Sequence, residues 1–239
     1  MARSAIWTAI AAMLSEEIAA GHYGPGDKLP TEAELSQRFG VNRHTVRHAL
    51  AAMAEAGTVH ARRGAGVFVA SKPTDYPLGR RVRFHQNMLV SGRTPSRQML
   101  RLETRACDPR EAEALALPPG APVHLVEGLS LADGVPVAMF RSVFPATRLP
   151  DFLATMAQTN SVTAALARAG VADYTRSSTQ ITAIAADALL ALHLRLPQSA
   201  PLLRTVAVNV DPAGKPIEFG TTWFAGERVA LTLQAADLS

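Results

Sequence analysis

Cysteine is almost absent from this 239-residue chain. The one thiol, Cys107, excludes an intrachain disulfide, which fits a reducing compartment. No metal-ligand cluster accompanies it, so it is read as a packing residue rather than a nucleophile. A G-x-S-x-G elbow, an H-E-x-x-H pair, a P-loop and any Cys/His metal spacing are missing as well. His22, His85, His124 and His193 stand singly and are expected on the surface or on helices. These absences argue against an enzyme, a metal and an organic cofactor. No run approaches the roughly 20 apolar residues of a membrane span. The first residues lack the basic start, apolar core and cleavage site of a secretory signal. A cytoplasmic protein with no membrane partner is therefore expected. There is no fixed-period repeat and no low-complexity tract.

What is present is ordinary in bulk. The 48% apolar content is enough for real cores, and the length suits one large domain or two small ones. A net charge of +4 suits a nucleic-acid partner without proving one.

The densest pattern lies in residues 29–69, LPTEAELSQRFGVNRHTVRHALAAMAEAGTVHARRGAGVFV. Thr31 precedes Glu34 by three residues, the spacing of a capping box in which hydroxyl and carboxylate satisfy free N–H groups of a first turn. Leu35 and Phe39 share a helix face, and Gly40 follows as a stop. Asn42 can cap the next helix, whose buried face recurs at Val46, Leu50 and Met53. Gly57 ends it. Residues 58–61 and 67–69 alternate around Arg62, Arg63, Gly64, Ala65 and Gly66, which predicts two strands with a slim basic tip. Together these make a winged helix-turn-helix. Its second helix exposes Arg43, His44, Thr45, Arg47 and His48 in the first two turns, the part that enters the major groove of double-stranded DNA. Arginine can bond bidentately to guanine, and threonine offers a hydroxyl and a methyl. Arg62, Arg63 and Gly64 of the tip can approach the phosphate backbone or the minor groove. The expected DNA contacts are thus Asn42, Arg43, His44, Thr45, Arg47 and the wing tip.

Around that stretch, Ile6, Ile10, Met13, Leu14 and Ile18 predict a supporting helix over residues 4–20, with Trp7 as a core or dimer contact. Residues 71–77 hold two prolines among small polar residues and read as a linker. The boundary is placed near residue 73, giving domains 1–72 and 73–239. Beyond it, a short helix carries Phe84, Met88 and Leu89, and an extended run follows Thr94. Helices are expected at 109–116, 149–157, 162–169 and 186–194. Strands are expected at 123–131, 135–144, 174–184, 202–210, 216–224 and 229–233, with Asp133–Gly134 as a hairpin turn. About six strands joined by hairpins and helices predict an α+β domain with a largely antiparallel sheet.

GDKLPTEAELSQRFGVNRHTVRHALAAMAEAGTVHARRGAGVFV resembles the N-terminal domain of the GntR family of bacterial transcription regulators. Ala33 departs from the family pattern, which usually has a DNA-contacting arginine there; the resemblance leaves that contact missing or supplied by Arg38. LADGVPVAMFRSVFP and RLPQSAPLLRTVAVNVDPAGKPIEF resemble the effector-binding (UTRA) domain of the HutC branch, related in fold to chorismate lyase. DYPLGRRVRFHQNMLVSGRTP, VNRHTVRHA and RSSTQITA resemble the phosphonate-utilisation repressors of that branch.

The resemblance implies a homodimeric repressor released from operator DNA by a small anionic effector, phosphonate- or phosphate-like. The alternative is a HutC-type regulator of a sugar phosphate or other carboxylate metabolite. It places the effector against Asn87, Ser91, Thr94, Ser96, Ser161, Arg176 and Glu218. Ser161 would start a helix, Arg176 offers a planar fork for oxyanions, and Glu218 can accept from a hydroxyl or amine. Many sugar-phosphate-sensing members carry two arginines before the Ala-Asp-Gly turn; here those positions are Gly128 and Ser130. Arg83, Arg141 and Arg176 remain as candidate anion partners.

Overall fold

Local chemistry sets the element boundaries in both halves. The computed structural model describes residues 2–62, 64–70, 73–81 and 84–233, with backbone alone for residues 2–5 and 62. They divide into two units, Met1–Lys72 and Pro73–Ser239.

The first unit runs α1 (Ala2–Ala19), α2 (Glu32–Phe39), α3 (Arg43–Glu55), β1 (Val59–Arg62) and β2 (Gly66–Val69). The capping box forms as spaced: Glu34 N–H donates to Thr31 Oγ1 at 3.3 Å, and Thr31 N–H donates to Glu34 Oε2 at 2.7 Å. Gly40 closes α2 at φ 64°, the left-handed region where glycine has no Cβ penalty. Asn42 opens α3 by accepting from Thr45 N–H at 2.8 Å. Ile10 and Leu14 of α1 meet Leu35, Val46, Leu50 and Met53 in one core, closed below by Val59 and Val69. Full burial of such a side chain stabilises by about 1.5–3 kcal/mol. β1 and β2 pair antiparallel, and Lys28 adds a bridge to Phe68 on the free side of β2.

The second unit contains β3 (Thr74–Pro77), α4 (Phe84–Val90), β4 (Pro95–Ala106), α5 (Pro109–Leu115), β5 (Pro122–Ala132) and β6 (Val135–Pro145). It continues with α6 (Phe152–Thr159), α7 (Val162–Arg168), β7 (Thr175–Ala185), α8 (Ala188–Leu194), β8 (Pro201–Val210), β9 (Pro216–Ala225) and β10 (Val229–Thr232). Six strands form one antiparallel sheet in the order β4-β5-β6-β9-β8-β7. The expected α+β architecture with a largely antiparallel sheet is what the chain adopts. Asp133 and Gly134 turn the β5–β6 hairpin at φ 50° and 77°, the positive values that such a two-residue turn requires.

The sheet is covered on both faces, and β6 shows how. Phe140 and Phe144 pack with Phe152 and Met156 of α6 and with Leu166 of α7. Met139 turns to Leu190 and Leu194 of α8, and Val143 to Leu115 of α5. Successive strand residues point to opposite faces, so one strand serves both layers.

Two expectations need correction. Residues 74–77, read as linker, form β3, which pairs parallel with β10, and Tyr76 is buried. Its partner lies some 150 residues later, so nothing local marks it. Pro73 and Pro77 sit at the strand's start and end, where a missing N–H is tolerated. His124, expected on the surface or a helix, is a buried β5 residue; Nε2 lies 3.0 Å from Leu149 O and Nδ1 2.9 Å from Thr104 Oγ1. Burial holds its pKa below the usual histidine value. Cys107 is buried among Ala112, Leu115 and Val123, a packing residue. No described helix is long and apolar enough to cross a membrane.

Candidate nucleic-acid interface and effector cavity

In α3 the buried face of Val46, Ala49, Leu50 and Met53 leaves Arg43, His44 and Arg47 exposed on the opposite side. Arg47 is oriented by Glu32 at the start of α2: its Nε and Nη2 donate to the two carboxylate oxygens at 2.9 and 2.7 Å. That hydrogen bond holds the Glu32 carboxyl below the usual range. Asn42 and Thr45 are partly committed to the cap, because Thr45 Oγ1 also donates to Asn42 Oδ1 at 3.0 Å. His48 belongs to helix packing, its ring stacked 4.5 Å from Trp7 of α1.

Arg38, one of the two alternatives for the contact absent at Ala33, is paired within the unit and half-exposed. Both its terminal nitrogens donate to Glu17 of α1, one at 3.0 Å, and its guanidinium lies over the Phe39 ring. It fastens α2 to α1. Gly64 turns the wing at φ 74°. Arg63 and the Arg62 side chain lie outside the described residues.

The second unit holds a cavity of about 620 Å³ between the sheet, α4, and the start of α7. Of the expected effector residues, Ser96, Ser161, Arg176 and Glu218 line it. Asn87 and Ser91 do not: they donate to Pro77 O at 3.1 Å and to Asp75 O at 3.2 Å, fastening α4 to β3. Thr94 sits at the hairpin end, its N–H donated to Asp133 at 2.8 Å. Arg141 is also displaced from the site. Ala138, Phe140 and Ser142 of β6 line the cavity, so alternation sends Arg141 to the other face, where it donates to Glu127 at 2.5 Å. Arg83 lies outside the described residues. Ser161 caps α7 by accepting from Ala164 N–H at 3.2 Å, which leaves its O–H free to donate.

A polar row crosses three neighbouring strands. Arg176, Asn209 and Glu218 stand directly opposite one another on β7, β8 and β9. Arg176 Nε donates to Asn209 Oδ1 at 3.3 Å, and Asn209 Nδ2 donates to Glu218 Oε2 at 2.7 Å. Ser142 Oγ donates to Glu218 Oε1 at 2.6 Å.

Sequence reasoning missed Arg97 of β4. Its guanidinium lies 5.1 Å from the Phe140 ring centroid and 5.8 Å from that of Phe84, a cation–π arrangement. Among the described residues it makes no hydrogen bond and no ion pair, and burial lowers its pKa. Tyr76, also missed, lines the same cavity, its hydroxyl pushed up to about 12 by burial, against the opposing pull of Arg176 and Arg97. A flat six-stranded sheet would separate its edge strands by about 24 Å. Arg97 and Arg176 stand on the two edge strands yet line one cavity, so the sheet curls round it.

Arg97 faces Ser130 directly across β4–β5. At Gly128 no side chain fits: a Cβ would lie 2.7 Å from Gln98 O and 2.9 Å from Phe140 Cζ. The absent side chain lets the Phe140 ring lie against the sheet beneath Arg97.

The family model for bacterial regulatory proteins of the gntR family matches residues 7–69, and that for the UTRA domain matches residues 90–230. The chain is 38% identical over 231 residues to the HTH-type transcriptional regulator RB1450 of Rhizobium meliloti, covering 96% of this chain and 95% of the relative. It is 33% identical to the probable transcriptional regulator PhnF of Escherichia coli, covering 94% and 93%. The crystal structure of PhnF from Mycobacterium smegmatis superimposes with a TM-score of 0.65 at 27% identity, over 94% of this chain and 97% of that one. These relatives are transcription regulators, not enzymes. The chain belongs to the GntR family of bacterial regulatory proteins, in its UTRA-bearing HutC/PhnF-type branch, as a transcriptional regulator.

Proposed function

We propose that this regulator is a homodimeric repressor of genes for phosphonate or other phosphorus uptake and degradation. It holds a two-fold operator until a small anionic effector fills the cavity of the second unit. The observation that carries the reading is the charge of that cavity: two guanidiniums, Arg97 and Arg176, against one carboxylate, Glu218. Similarity to the PhnF regulators supports the phosphorus assignment. Two lining residues of the same unit support such a coupling. Tyr76 of β3 and Phe84 of α4 line the cavity, and these are the first elements after residue 72. An occupant therefore touches the segment that leads out of the DNA-binding unit.

Operator selection from random DNA, repeated with inorganic phosphate, alkylphosphonates and sugar phosphates, tests the proposal. The expected result is an inverted repeat released by a phosphonate or phosphate compound. An asymmetric single site, or release by sugar phosphates alone, would overturn it.

A further inference from the structure

Arg97 and Glu218 line this cavity with no hydrogen bond or ion pair between them, and the Glu218 charge acts on Arg97 only through space. Arg97 is held only by the faces of Phe84 and Phe140, and all its N–H donors are open to an occupant among the described residues. Glu218 accepts from two neutral donors, the Ser142 hydroxyl and the Asn209 amide, and forms no ion pair among the described residues. Asn209 stands between it and Arg176. A carboxylate has more acceptor sites than those two bonds use. A guanidinium and a carboxylate lining one cavity gain most from a ligand that brings the complementary charge to each.

We propose that the effector is zwitterionic: its oxyanion is anchored by Arg97, and a protonated amine at its other end is taken by Glu218. This rests on the reading of the cavity as the effector site, and it narrows the ligand from any anion to an amine-bearing one. The charges agree. With the lining residue His85 counted as neutral, the arginines and the glutamate among the described lining residues sum to one positive unit, and a doubly ionised aminoalkylphosphonate carries one negative unit. A plain dianion leaves the Glu218 carboxylate uncompensated in a partly desolvated site, which costs affinity. The two neutral donors that hold Glu218 also fix its position, so the span to Arg97 selects for ligand length.

The test is calorimetry on the full-length protein with methylphosphonate, ethylphosphonate, inorganic phosphate, ethanolamine, 2-aminoethylphosphonate, 3-aminopropylphosphonate and β-alanine. At least one aminoalkylphosphonate is expected to bind tenfold or more tightly than ethylphosphonate, with an optimum chain length. β-Alanine separates a carboxylate source of the anion from a phosphonate one. In Glu218→Gln the preference for the amine is expected to fall to near one. In Arg97→Gln all the anions are expected to lose at least tenfold. Equal binding of ethylphosphonate and both aminoalkylphosphonates would overturn the zwitterion while leaving an anion-released repressor standing. Binding of none of the compounds would overturn both readings. The wild-type ligand series decides the matter even where a variant folds poorly.

Discussion

At the scale of single residues, the interface separates arginines that hold the fold from arginines that face solvent. Arg47 and Arg38 are both paired to glutamates, but Glu32 presents Arg47 on the exposed face of α3, whereas Glu17 draws Arg38 onto α1. Arg47→Ala is therefore expected to lose about ten- to hundredfold in affinity for the selected operator. Arg38→Ala is expected to leave sequence discrimination intact and to lower stability slightly, since exposed pairs contribute little. Fluorescence titration against operator and scrambled DNA distinguishes the two. Tyr76 makes a second prediction. Its folded pKa, about 12, lies above the usual value near 10 for an exposed tyrosine. A raised folded pKa means a stabilising contribution that is complete below pH 10 and is lost as pH rises towards 12. Absorbance titration at alkaline pH should show Tyr76 ionising late, coincident with falling stability. Tyr76→Phe should remove that late phase; its persistence in the variant would refute the assignment.

At the scale of elements, caps and glycine stops were legible because they act within a turn or two of chain. Thr31 with Glu34, Gly40, Asn42 and the Asp133–Gly134 turn all behave as their spacing implies. β3 was not legible, because the partner that makes Thr74–Pro77 a strand is β10. Gly128 shows the same limit: its need for glycine comes from the Phe140 ring and the Gln98 carbonyl of neighbouring strands. Gly128→Ala should destabilise the second unit by about 1–3 kcal/mol, as overpacking does, without altering the DNA-binding unit. Chemical denaturation followed at Trp223 of β9 and Trp7 of α1 reads the two units separately.

At the scale of the whole molecule, linkage sets the decisive prediction. If effector binding weakens operator binding by a given factor, operator must weaken effector binding by the same factor, and couplings of this kind run about 1–3 kcal/mol. Calorimetry of an effector with and without operator should give that reciprocal difference. Equal affinities would show that the ligand is not the inducer. If the basic helix and the wing contact phosphates, operator affinity should also fall steeply with salt.

The sequence by itself determined the helix-turn-helix, its exposed basic face and the hairpins, because these rest on period, capping and turn chemistry that neighbours along the chain supply. The resemblance carried by its motifs named the family. It also named four residues that do line the cavity, Ser96, Ser161, Arg176 and Glu218. Only the tertiary structure decided that Arg97 belongs with them and that Arg141 does not. Strand alternation fixes which residues share a face only once the register is known, and the curl of the sheet then brings its two edge strands, β4 and β7, round one cavity.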